Sequence, residues 1–92
     1  MKTTLKNLTF TAQVFKEDGV FVSYNPELKV ASCGDTIDEA KSNLQDAISG
    51  FLKSARKMGT LESILEEAGF IYKKQDWFTP ELLVTDRLSV TI

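Results

Sequence analysis

Histidine is absent from the 92-residue chain and cysteine occurs once, as Cys33. Without imidazole there is no general base of the usual neutral-pH kind. Ser-His and Cys-His couples are excluded with it, as are zinc sites of the customary His/Cys sets. A single cysteine closes no internal disulfide, which fits a reducing compartment, and cytoplasm is the expected location. No apolar run approaches the roughly 18 residues of a membrane span. The start, Met1 to Lys6, runs into alternating residues and not into an apolar signal core, so no membrane or export role is expected. On the same compartment logic the Asn7-Leu8-Thr9 sequon is not expected to carry a glycan. The five glycines are scattered at 19, 34, 50, 59 and 69, so neither a phosphate loop nor a dinucleotide fingerprint is present. HExxH, paired CxxC and EF-hand patterns are missing too, and no cofactor is expected.

What is present is an ordinary globular composition, 42 % hydrophobic and 26 % charged, in a length that suits one domain spanning 1–92. A chain this short buries a modest fraction of its surface, so assembly into a homodimer is an expected supplement. Eleven basic and thirteen acidic side chains give a net charge of -2, a poor match to a phosphate-coating protein.

Alternation from Leu8 to Phe15 predicts a half-buried strand, with Leu8, Phe10, Ala12 and Val14 on one face. Asp18-Gly19 reverses the chain, because glycine accepts positive φ. Val20 to Tyr24 is a second strand, Pro26 ends its pairing, and a short third strand lies near Lys29 to Cys33. Thr36 with Glu39 has the form of a capping box. It opens a long helix whose Ile37, Ala40, Leu44, Ala47, Ile48, Phe51, Leu52 and Ala55 make one apolar stripe, and which ends at Gly59. Gly50 lies inside that pattern, where a close backbone contact would explain it. Thr60 is placed to cap a shorter helix ending at Gly69. A strand over Phe70 to Lys73 and a polar turn at Lys74-Gln75-Asp76 follow. From Val84 onward Leu88, Val90 and Ile92 alternate with Arg87, Ser89 and Thr91, which predicts a C-terminal strand. The fold class is α+β, an antiparallel sheet of three to four strands with one long helix on it.

Asp35, Asp38 and Glu39 with Glu17 and Asp18 suggest a carboxylate metal set, yet helix capping and a turn account for these positions. Cys33, near a helix start, is read as a small semi-buried residue, since no histidine is available to activate it. Phe15 among polar strand residues, Phe21 opposite Val20 and Val22, and Trp77-Phe78 beside a turn are apolar surface in want of a cover. That cover is either a second mini-core or another chain.

The run Tyr24-Asn25-Pro26-Glu27-Leu28, then Val30 to Ala40 with its Ser32-Cys33-Gly34-Asp35-Thr36 turn, and Asn43 to Ile48, resembles the HicB-like antitoxin family. The resemblance covers about half of the chain. It implies a degraded ribonuclease-H-like or ferredoxin-like β-β-β-α-β sandwich, without nuclease activity, that neutralises a HicA-type RNA-cleaving toxin by covering its active site. Many members continue into a DNA-binding domain. No such segment follows Ile92 here, so operator binding is not expected. Lys29 stands where many members have Pro-Gly, which points to a more regular third strand. On this reading Glu27, Asp35 and Asp38 steer a basic partner, Phe15, Trp77 and Phe78 make contact, and Leu88 and Val90 pair strands between subunits. The rival readings are a stand-alone interaction module, a nucleic-acid-binding protein, and a residual metal-dependent nuclease.

Overall fold

A computed structural model describes residues 8–92; Met1 to Lys6 and the sequon's Asn7 lie outside the described residues. The architecture is α+β. Strands β1 (Gln13–Glu17), β2 (Val20–Asn25) and β3 (Val30–Gly34) form an antiparallel sheet in the order β1-β2-β3. Helix α1 (Ile37–Met58) crosses it, mainly over β3 and β2. Helix α2 (Leu61–Glu67) and a hairpin of β4 (Ile71–Lys73) and β5 (Asp76–Phe78) complete the body.

The first turn is the one predicted: Asp18 and Gly19 both take positive φ, which matches the twist of the flanking strands. Strand β1 starts at Gln13 and not at Leu8, because β2 ends at Asn25 and offers no ladder partner further on. Side chains substitute for the ladder. Asn25 donates from its amide to the Thr11 carbonyl at 2.8 Å, and Glu27 accepts the Thr11 N–H at 2.8 Å. Lys29 occupies the left-handed region at φ 59°, which makes the turn into β3 tight without a glycine.

Register fixes the two faces of the sheet. Ser23 donates its hydroxyl to the Ala40 carbonyl of α1 at 2.7 Å, so Phe21, Ser23 and Asn25 look at the helix. Their β3 partners Gly34, Ser32 and Val30 share that face. Apart from Phe21 and Val30 at its ends the face is small and polar, and Ser23, Ser32 and Gly34 let the helix come close. A Cβ on Gly34 would stand 2.6 Å from the Ala40 nitrogen, so only glycine fits there.

Both ends of α1 are built as the sequence predicts. Thr36 Oγ1 accepts the Glu39 N–H at 3.0 Å, and Glu39 reaches back to the Asp35 N–H at 3.0 Å. Gly59 at φ 77° closes a Schellman motif, with Thr60 N–H on the Ala55 carbonyl at 2.9 Å. Because Thr60 serves that motif it makes no side-chain cap on α2; its hydroxyl turns back to Ala55 instead. Gly69 repeats the device at the end of α2, where Phe70 N–H meets the Leu65 carbonyl at 3.0 Å. At Gly50 a Cβ would meet nothing within 4 Å, so no close contact accounts for the glycine there.

The apolar stripe of α1 is only partly used. Ala40, Leu44, Ile48 and Ala55 are buried, while Ile37 and Phe51 are exposed. The principal core lies beyond the sheet, where Ala55 of α1 meets Leu61, Leu65, Phe70 and Trp77, with Leu8, Phe10 and Leu52 packed against them. The Phe10 and Phe70 rings are 5.1 Å apart, tying the start of the described chain to the end of α2. This is the second mini-core, and it claims Trp77. Residues 79–92 carry neither helix nor strand, so the strand expected from Val84 onward is not formed within the single chain. An isolated strand leaves its N–H and C=O groups without ladder partners, and none of the described strands lies beside it.

Candidate interaction surface

Among the described residues no helix or second sheet lies on the face of the sheet turned away from α1. The pairing sets Phe15, Val22 and Cys33 in one row across the three strands, and Gln13, Tyr24 and Ala31 in the next. Phe15 is 45 % exposed, Val22 and Tyr24 are half-buried, and Cys33 is exposed, in contrast to the semi-buried position expected of it. Phe21, expected as part of this surface, is instead on the helix side. Val20, Val22 and Tyr24 take its place. A continuous apolar strip on one side of a small sheet is the kind of surface that marks a macromolecular contact.

One end of the sheet is locked by a polar cluster. Glu27 Oε1 and Oε2 accept the Thr11 N–H and hydroxyl, at 2.8 and 2.6 Å, and Oε1 also accepts from the Asn25 amide. Asn25 is fully buried and its Oδ1 takes the Leu28 N–H at 2.8 Å. Partial burial pushes the Glu27 pKa up. The hydrogen bonds from Thr11 and Asn25 outweigh it and hold the carboxyl below the ordinary glutamate range. Glu27, expected to steer a partner, thus has both oxygens committed inside the chain. That explains the Asn25-Pro26-Glu27-Leu28 run in structural terms.

Asp35 and Asp38 are exposed at the N-terminal end of α1, and Asp38 also lines a groove between residues 8–12 and the helix. Trp77 is 5 % exposed, so the expected contact residue is a core residue. It is buried because α2 and the 8–10 stretch close over it, with the Tyr72 ring 5.1 Å away. Phe78 is exposed on the opposite side of the hairpin, paired with Ile71 and with the Lys73 ammonium 5.2 Å above its ring. Leu88 and Val90 lie on the exposed C-terminal segment. The expected contact residues therefore do not converge: Phe15 is on the open face, Phe78 on the hairpin, and Leu88 and Val90 on the tail.

Sequence reasoning misses Val22, Tyr24 and Cys33. The available signal is the run of small residues Ser23, Ser32, Gly34 and Ala40, which marks the face where the helix approaches and leaves the opposite face to the larger side chains. Among the described residues no group of three His, Cys, Asp or Glu side chains is placed to hold a metal ion, and no helix is long and apolar enough to cross a membrane. Comparison with known protein families, with curated proteins and with solved structures finds no match to this chain.

Proposed function

We propose that the chain is a non-enzymatic, cytoplasmic binding module of HicB-like antitoxin type, which neutralises a small HicA-type RNA-cleaving toxin by covering its active site. The observation that carries this reading is the strip Phe15, Val22 and Cys33, an apolar row on a sheet face that no described helix or second sheet covers. Asp35 and Asp38 at the end of α1 supply negative charge for steering a basic partner, and the strip supplies the contact area that slows release. The resemblance of the Tyr24 to Ile48 run names the class of partner.

The test is an RNA cleavage assay with a small basic toxin, with and without this chain, followed by sizing of the mixture. Suppressed cleavage and a defined complex are expected, and Phe15→Asp should abolish both while leaving the circular dichroism spectrum unchanged. Metal-dependent cleavage by the chain alone, lost in Asp35→Asn, would replace this reading with the nuclease. Salt-sensitive RNA binding by the chain alone would replace it with a nucleic-acid-binding role.

A further inference from the structure

Residues 81–92 are exposed throughout, with Leu82 at 63 %, Leu88 at 86 % and Val90 at 79 %. Read as a strand, the segment has one face of Leu82, Val84, Leu88, Val90 and Ile92, interrupted only by Asp86, and an opposite face of mostly polar residues. The Cα radius of gyration is 15.1 Å. A compact chain of this length would have about 12 Å. The segment is an arm that leaves the body, and Pro80 at its root has no N–H with which to continue a ladder.

The body has an open sheet edge beside an apolar groove. β1 is an edge strand of the sheet, and the groove of ≈ 780 Å³ between residues 8–12 and α1 has Leu8, Phe10, Ala12, Leu44, Ile48 and Leu52 on its walls. The other edge strand, β3, is already engaged by the helix, since Asn43 donates to the Cys33 carbonyl at 2.8 Å. The five residues of β1 run about 17 Å when extended, so about half of Val84 to Ile92, itself about 30 Å, pairs along them and the rest continues into the groove beside residues 8–12. Lys41 and Lys53 line the same groove beside Asp38, two cations to one anion, which leaves a net charge opposite in sign to Asp86 on the arm's apolar face.

We infer that two copies exchange these arms: Val84 to Ile92 of one copy adds as a fourth strand along the β1 edge of the other, with Leu88, Val90 and Ile92 in the groove against α1. Each exchange gives the arm and the free side of β1 the ladder partners that neither has among the described residues of one copy, and buries exposed apolar side chains of the arm. The inference is independent of the toxin reading, because it is read out by mass and cross-linking and not by RNA cleavage.

Light scattering on the size-fractionated full chain tests it. The expected mass is twice the 10.3 kDa of one chain, falling to a single chain in Leu88→Asp/Val90→Asp. Both positions are exposed in the single chain, so the body should keep its helical signal. In a Cys33→Ser background, Ala12→Cys chains mixed with Val90→Cys chains should form a mixed disulfide under mild oxidation. A monomeric wild type, a dimer that survives the arm variant, or a bond formed only within a chain carrying both cysteines would each overturn the exchange.

Discussion

Glu27 holds Thr11 with both carboxylate oxygens, one on its N–H at 2.8 Å and one on its hydroxyl at 2.6 Å. Sixteen positions apart, the two residues join the turn after β2 to the approach into β1, at the point where the ladder has run out. Replacing Glu27 by alanine leaves Thr11 and part of the buried Asn25 amide without their acceptor. A loss of about 1–3 kcal/mol is expected, the cost of a partly buried polar group deprived of its partner. Urea unfolding of Glu27→Ala beside wild type measures it, and an unchanged midpoint would show the clamp to be dispensable.

The same clamp sets a pH dependence. The folded-state pKa of Glu27 is lowered, so the folded chain binds a proton there less readily than the unfolded chain. Its contribution is fully present above the unfolded value of about 4.3 and is lost as the pH falls through the lower folded value. Wild type should therefore lose stability more steeply than Glu27→Gln on acidification below about pH 5. Parallel curves for the two proteins would remove Glu27 as the titrating group.

How much of this is legible in the sequence depends on whether the determining contact is local. The capping box at Thr36 and Glu39, the Asp18-Gly19 reversal and the glycine stops at 59 and 69 are local, and each is found where the pattern places it. The β4-β5 hairpin turns at Lys74 and Gln75, inside the polar turn that the sequence predicts, and both take positive φ without the glycine or asparagine usual there. Trp77 reads as surface in the sequence because its burial depends on Leu8 and Phe10, nearly the whole chain away. Thr79, whose hydroxyl accepts the Thr9 N–H at 3.0 Å, makes the same long closure. The alternation after Val84 is plain in the sequence, but a strand needs a neighbour, and a single chain does not provide one.

Two glycines should respond to alanine with opposite signs. At Gly34 the added methyl would meet Ala40 nitrogen at 2.6 Å and Glu39 carbonyl carbon at 2.9 Å, backbone atoms that cannot move aside. Overpacking of this kind costs about 1–3 kcal/mol. At Gly50 the methyl enters open space in the middle of a helix, and alanine should stabilise by about 0.5–1 kcal/mol. Thermal melts of the two variants check both. A stabilising Gly34→Ala would mean that α1 sits further from β3 than these distances imply.

Trp77 separates shape from polarity in the core. Its indole is buried among Leu61, Leu65 and Phe70, and its Nε1 finds no acceptor among the described residues. Truncation to alanine removes the ring that closes the core and should cost about 3–5 kcal/mol. Phenylalanine keeps most of the apolar contact and removes a buried donor whose burial itself costs about 1–3 kcal/mol. Trp77→Phe is therefore expected within about 1 kcal/mol of wild type by denaturant unfolding, on the balance of those two effects. A loss as large as that of Trp77→Ala would show that the indole N–H has a partner in solution.

Cys33 reports on the open face directly. It is an exposed free thiol in the row with Val22 and Phe15, so a bulky maleimide should label it in the folded chain. Labelling places a large group on the strip without touching the helix side of the sheet. If a partner docks on that strip, prior labelling should weaken its binding by about tenfold or more, the effect of roughly 1.4 kcal/mol. Bound partner should in turn slow the labelling. Titration of the partner against labelled and unlabelled protein measures the first effect, and mass spectrometry of timed reactions the second. Equal binding by both forms, with equal labelling rates, would place the contact surface elsewhere on the molecule.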